Sequence, residues 1–282
     1  MKKIIYKFSM LAAVVLMAAS CQKMDHPGAG DYPSDTNPPG GALKFYAAFD
    51  GTTDNALKNA VDSIRANYPS ENPLLSTEGI SGKALQGENK KFVKYIKPND
   101  FAITAKSFTI STWYKRDGQT KNNTGTNGPE YLMSFKSSSG HWSGASLLLF
   151  LEGNNASCAV KVMVADATNA DNWMTWEGGT AIPGLLNNQW HHLAITYNNI
   201  NSTMTLYIDG VANAGTRQWG THGNINFDDS KITEFRIGAG PGTGYNTDDW
   251  LSSTFKGSID QVRMYNTALT AAEVNNLFTT KQ

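Results

Sequence analysis

The sequence is short of charge, of basic excess and of long apolar runs, and each shortage excludes a class of protein. Charged residues make up 17% of the 282 positions, against roughly 25% in ordinary soluble domains. Lysine and arginine total 24 and are matched by 24 acidic residues, so the basic surplus that phosphate contacts require is missing and nucleic acid is not an expected partner. No His-x-His, HExxH or G-x-S-x-G sequence occurs, which removes the common zinc-protease and serine-hydrolase signatures. No internal repeat is found. What fills the gap is Asn, Thr, Ser and 26 glycines, a composition suited to an all-β protein with many turns. The length allows a sizeable core.

The first 20 residues read as a bacterial secretion signal. Lys2, Lys3 and Lys7 precede the apolar run MLAAVVLMAA at 10–19, and small residues then lead into Cys21. The run is too short to span a bilayer of roughly 30 Å as a helix, and no other segment is long and apolar enough to cross. LMAASC resembles the lipobox of bacterial lipoproteins, which implies acylation of Cys21 and an N-terminal membrane anchor. Loss of the three leader lysines leaves 21 basic groups against 24 acidic ones. Residues 21–42 carry Pro27, Pro33, Pro38 and Pro39 with Gly28, Gly30, Gly40 and Gly41 and read as an extended tether. With Cys21 lipidated, Cys158 is the sole remaining thiol, so no intramolecular disulfide is expected. It shares strand parity with Val160, Val162 and Val164 and reads as a core residue.

Residues 43–282 read as one folded domain. LKFYAAF (43–49), SFTISTWYKR (107–116), SLLLFLE (146–152), CAVKVMVAD (158–166), WHHLAITY (190–197), TMTLYIDG (203–210), EFRIG (234–238) and SIDQVRMY (258–265) recur between turn signals. Their spacing and their β-branched and aromatic content predict an antiparallel sandwich rather than βαβ units. Two helices are expected, at 54–68 and near the C-terminus, where Thr270 and Glu273 form a capping box.

SFTISTWYKR, WHHLAITY, TLYIDG and FKGSIDQVRMYNTALTAAEVNNL (255–277), together with GISGKALQG (79–87), closely resemble the laminin-G-like, concanavalin A-like jelly-roll family. The resemblance covers nearly all of 43–282. It implies two antiparallel sheets of six or seven strands, one of them concave, and use as a glycan-binding or adhesion module. Glycoside hydrolases share the fold, so function must be argued from the site. The laminarinase-type members carry Glu-x-Asp-x-Glu or Glu-x-Asp-x-x-Glu on one strand, which sets the acid and the nucleophile on one face. None of the eight glutamates here is followed by Asp two residues later. The adjacent His191 and His192 point to opposite faces of a strand, and GAGPGTG (238–244) lacks the following helix that a dinucleotide fingerprint needs; it reads as a flexible turn.

Asp260 is the most informative acid, because alternation places it with Val262 and Met264 on an apolar face, where an unpaired carboxylate is costly. The resemblance implies a structural Ca²⁺ held by Asp260 with backbone oxygens at positions corresponding to Asp50 and Gly87, supplemented by carbonyls and water. Pairing of Asp260 with Arg65, Lys83 or backbone amides is the alternative.

Trp113 and Trp190 lie within strands and read as framework. Trp142, Trp173, Trp176, Trp219 and Trp250 fall in or beside loops rich in Gly, Asn, Asp and Thr, and are the expected sugar-stacking residues. Asn172, Glu177, Arg217, Asp248 and Asp249 are the expected polar partners. The expectation is an outer-membrane lipoprotein, on the cell-surface or periplasmic face, whose jelly-roll domain binds a poly- or oligosaccharide without cleaving it. The competing readings are a module that binds an envelope protein and a glycoside hydrolase.

Overall fold

The structure is a computed structural model that describes residues 40–50, 57, 59–61, 72–117, 128–243 and 249–281. Cys21, its tether and the helix expected at 54–68 lie outside the described residues, apart from residues 40–42 at the end of the tether, Leu57 and residues 59–61.

Among the described residues, fifteen strands form two antiparallel sheets. The larger contains β1 (Leu43–Ala47), β2 (Leu75–Glu78), β3 (Lys83–Gln86), β5 (Phe108–Asp117), β10 (Asn187–Asn198), β11 (Thr203–Ile208), β12 (Val211–Ala212), β13 (Arg217–Gln218) and β15 (Ser258–Tyr265). The smaller contains β4 (Val93–Tyr95), β6 (Glu130–Ser137), β7 (Ala145–Asn154), β8 (Ser157–Ala165), β9 (Asp171–Trp176) and β14 (Ile232–Ile237), in the order β4-β14-β6-β7-β8-β9. The larger sheet has nine strands but only seven columns. β3 and β1 share one edge of β15, and β12 and β13 share one edge of β11. This agrees with the expected jelly-roll sandwich.

Period-two alternation assembles the core. Leu147, Leu149 and Leu151 of β7 oppose Val164, Val162 and Val160 of β8, which in turn oppose Asn172, Met174 and Trp176 of β9; apart from Asn172, these side chains are buried between the sheets. Each such aliphatic burial contributes about 1.5–3 kcal/mol. Aromatic rings lock the centre edge to face: Phe45 meets Tyr95 at 5.1 Å and Phe235 at 5.0 Å, at interplanar angles of 82° and 87°. Cys158 is fully buried in this core, and burial pushes its thiol up to about 12, so it is an inert packing residue.

Among the described residues there are two α-helices, α1 (Phe101–Thr104) and α2 (Ala271–Thr280). The expected capping box starts α2: the Glu273 N–H donates to Thr270 Oγ1, and the Thr270 N–H donates to the Glu273 carboxylate at 2.7 Å. Val274 packs against Ala194 and Tyr207, and Phe278 stacks on Trp113 at 5.5 Å. The helix therefore covers part of the outward face of the larger sheet.

Beneath it lies His192, fully buried, with Nε2 2.8 Å from Ser111 Oγ. Burial, aided by the charge of Arg263, lowers its pKa to about 4, whereas an unfolded histidine titrates near 6.5. A depressed folded pKa contributes stability that is complete above pH ~6.5 and is lost as pH falls toward 4. The melting temperature is expected to drop by several degrees across that window. Replacing His192 by Gln should flatten this acid slope, and an unchanged slope would assign it to other groups.

Candidate functional site

The outward face of the smaller sheet carries an aromatic hollow. On β7, Leu148, Phe150 and Glu152 alternate with the core leucines; on β8, Lys161 and Met163 alternate with the core valines; on β9, Trp173 and Thr175 alternate with Met174 and Trp176. Register aligns Leu148 with Met163 and Trp173, and Phe150 with Lys161 and Thr175. These rows form the floor of a cavity of about 530 Å³, lined by Trp142, Trp173, Trp250, Phe150, Glu152, Lys161, Thr175 and Glu177.

Three indoles from separate chain segments converge there. The ring centroids of Trp142, Trp173 and Trp250 stand 6.2, 6.3 and 6.1 Å apart pairwise. Phe150 lies 5.8 Å from Trp250 and 6.3 Å from Trp173. Trp142 is 62% exposed, yet its loop is fixed on both sides. His141 is buried, with Nδ1 2.8 Å from Ser143 Oγ and Nε2 3.4 Å from Asp171 Oδ2. Trp250 opens a 3₁₀ turn, Trp250–Ser252, capped by Asp249, whose Oδ1 accepts the Leu251 N–H.

The segment that holds Trp250 corrects a sequence expectation. GAGPGTG was expected to be a flexible turn, but its first five residues pair with the chain around Trp250. The Gly240 N–H donates to the Ser253 carbonyl at 3.0 Å, and the Gly242 N–H to the Leu251 carbonyl at 2.9 Å. Arg236 Nη1 clamps the carbonyls of Gly240 and Gly242 at 2.8 and 2.7 Å. A Cβ on Gly240 would strike the Leu251 carbonyl and the Tyr131 ring. Glycine is thus required here for close approach.

The polar end of the hollow is an ion-pair chain. Lys161 Nζ lies 2.8 Å from Glu152 and 2.7 Å from Glu177. Burial alone would lower the lysine pKa, but hydrogen bonds and charge from both carboxylates outweigh it, and the net direction is upward. The ammonium is therefore held charged between two acids.

Two expected sugar-stacking residues lie elsewhere. Trp176 is fully buried in the intersheet core; its Nε1 donates to the Gly215 carbonyl, and Arg217 lies over its ring at 5.0 Å. Its parity on β9, opposite to that of Trp173, decides this. Arg217 is itself engaged with the Thr175 carbonyl at 2.6 Å. Trp219 packs against the main core and stacks on His222 at 3.7 Å. Asn172 shares the parity of Met174 and Trp176, and Asp248 lies outside the described residues. Of the expected polar partners, Glu177 lines the hollow. Phe150, Glu152 and Lys161 were not anticipated: SLLLFLE is apolar on both faces, so alternation alone did not show which residues point outward.

Around Asp260 the structure changes the geometry read from sequence. Asp260 opposes Trp113, whereas Arg263 opposes Ser111, so β15 carries a bulge in which Gln261 adopts φ 47°. Val262 and Met264 point into the core, and Asp260 does not share their face. Its Oδ2 accepts the Ile80 N–H at 2.8 Å, while Oδ1 is buried with no hydrogen-bond partner among the described residues. Burial pushes the carboxyl up to about 7 and nearby Asp50 raises it further, while the backbone amides of Ile80, Gln261 and Ser81 act against this. Asp50 Oδ1 accepts the Lys83 N–H at 2.6 Å, so the two acids grip one turn; a Cβ on Gly82, at φ 60°, would collide with Asp50. Gly87 lies at the far end of β3, its N–H donating to the Gly257 carbonyl.

Comparison with known proteins follows the fold. The family model described as the concanavalin A-like lectin/glucanases superfamily matches residues 91–275. No curated protein matches the chain by sequence. Among solved structures, domain 4 of AbnA, a GH43 extracellular arabinanase from Geobacillus stearothermophilus in complex with arabinotriose, is similar at 19% identity and TM-score 0.55, over 83% of this chain and 97% of that one. The binding domain of botulinum neurotoxin serotype G is similar at 13% identity and TM-score 0.57, over 85% of this chain and 51% of that one. The binding domain of botulinum neurotoxin DC, in complex with SialylT, is similar at 13% identity and TM-score 0.56, over 86% and 51%. The chain thus spans about half of each toxin binding domain, and at these identities the likeness is one of fold.

Proposed function

The chain belongs to the concanavalin A-like lectin/glucanases superfamily, and from that premise we propose that it is a non-catalytic carbohydrate-binding module, tethered to the bacterial envelope by lipid on Cys21. The observation that carries the binding reading is the convergence of Trp142, Trp173 and Trp250 on one hollow beside Glu152, Lys161 and Glu177. Sugar rings present C–H faces that stack on indoles, while their hydroxyls need carboxylates and donors at the rim. Structural neighbours in complex with arabinotriose and with SialylT support this reading.

A glycosidase needs one carboxyl to deliver a proton and another to attack the sugar or activate water. Here both acids of the hollow lie against the same ammonium, an arrangement better suited to binding. A bound polysaccharide is therefore expected to be recovered intact.

A structural Ca²⁺ is part of the proposal. The residues fit: two neighbouring carboxylates, one of them with a buried oxygen that has no hydrogen-bond partner among the described residues, are what a hard cation relieves. Asp50 and Asp260 would hold the ion, with carbonyls and water completing the shell. The ion would tie the end of β1 to β15.

The test is a panel of neutral and charged polysaccharides measured with calcium and again with EDTA. Saturable binding that is lost on substitution of the three indoles is the expected result, and no binding across a broad panel would overturn the reading. The anchor is tested separately by fatty-acid labelling, which should disappear in Cys21→Ser.

A further inference from the structure

The larger sheet carries a hollow of its own, on the side facing away from the core. It measures about 510 Å³ and is lined by Trp190, Lys115, Lys256, Gln86, Asn188 and Glu78, among others. Four strands build its floor: Trp190 of β10 opposes Lys115 of β5, Lys115 opposes Ser258 of β15, and Ser258 opposes Gln86 of β3. The neighbours of this row, Tyr114, Leu85 and Ile259, are core residues, so the row itself faces outward. A register shift on β10 between Asn187 and Trp190, with Asn188 at φ 60°, brings Asn188 and Trp190 to the same hollow. Bulges commonly re-aim side chains in this way. Trp190, a framework residue by its position in the sequence, is half-buried at this opening.

The charges here are arranged unlike those of the tryptophan hollow. Glu130 is buried beneath the rim and takes up Arg116, whose Nη2 is 2.7 Å from its Oε1, while its Oε2 accepts the Lys256 N–H at 2.7 Å. That carboxylate thus fixes the backbone that carries Lys256. The ammonium groups of Lys115 and Lys256 make no ion pair or hydrogen bond among the described residues, although the Lys256 charge acts on Glu130, and Glu78 is the one acid among the described residues that line the hollow. A Cβ on Gly257 would strike the Lys115 carbonyl, so glycine lets this part of the floor close up.

We propose that this hollow is a second binding site, for a saccharide bearing an anionic group: a uronate, a sulfated sugar or a phosphorylated sugar. Lys115 and Lys256 take the anion, Trp190 takes a C–H face of the ring, and the amides of Gln86 and Asn188 take hydroxyls. The tryptophan hollow instead commits its lysine to two carboxylates, a poorer setting for an anion. The two faces of the sandwich thereby select sugars of different charge. This assignment rests on the larger sheet alone and stands whether or not the tryptophan hollow binds glycan.

The test uses the full-length chain with polygalacturonate, dextran sulfate, neutral dextran and polyaspartate as probes, by affinity electrophoresis and calorimetry at low and high salt. At least one acidic polysaccharide should be retained over neutral dextran and polyaspartate. Its affinity should fall with salt and drop tenfold or more in Lys115→Gln/Lys256→Gln and in Trp190→Ala. Lys231→Gln, at an exposed lysine that lines neither hollow, should leave it unchanged, and circular dichroism should show every variant folded. Undiminished binding in the double lysine variant, or no acidic probe retained by the parent at low salt, overturns the site. Equal retention of polyaspartate together with insensitivity to Trp190→Ala overturns the saccharide assignment.

Discussion

Replacing Trp142 by alanine is expected to weaken polysaccharide binding about 5- to 30-fold while leaving the fold intact, whereas replacing Trp176 should destabilise the fold. Trp142 stands 62% exposed on a loop whose polar anchors, His141 with Ser143 and Asp171, do not use the indole N–H, although the His141 ring lies 5.6 Å from it. Removing the ring takes away a stacking surface and little else. A stacking contribution of roughly 1–2 kcal/mol corresponds to about a 5- to 30-fold change in Kd. Trp173 and Trp250 should show comparable losses, with a modest cost in stability because both rings also pack on Phe150. Trp176 is fully buried between the sheets, and deleting a core indole costs about 3–5 kcal/mol. For a domain of this size that lowers Tm on the order of 10 °C. Calorimetric titration and thermal melts on the same variants separate the two effects. Parent-like glycan affinity in Trp142→Ala would remove this hollow from the binding function.

Calcium is expected to raise the melting temperature, and Asp260→Asn to abolish the response. Asp50 and Asp260 lie close enough for the charge of one to raise the pKa of the other, and Asp260 Oδ1 has no hydrogen-bond partner among the described residues. A divalent cation relieves the repulsion and satisfies the buried oxygen together. An ion that binds only the folded state at 100 to 1,000 times its Kd stabilises by about 2.7–4.1 kcal/mol, or roughly 10 °C in Tm. EDTA should reverse the shift, and Asp50→Asn should reduce it. A parent protein whose Tm is indifferent to calcium and EDTA would show that the backbone amides of Ile80, Ser81 and Gln261 suffice for Asp260.

Sequence determined the sandwich by itself because period-two alternation, turn residues and the capping box at Thr270 are local properties. The backbone reads them without knowing its neighbours. Burial of Cys158 followed from the same parity. Alternation failed where local geometry breaks it: the bulge at Gln261 turns Asp260 away from Val262 and Met264.

The binding hollow was half legible. Five loop tryptophans could be named from their surroundings, but composition could not say that Trp176, three residues after Trp173, points inward. The meeting of Trp142, Trp173 and Trp250 depends on strand order and on the glycine segment 238–242 clamped by Arg236. The ion-pair chain of Glu152, Lys161 and Glu177 exists only because β7, β8 and β9 are neighbours in this register. Contacts between residues far apart in the chain are fixed by tertiary packing, and the chemistry of both hollows is made of such contacts.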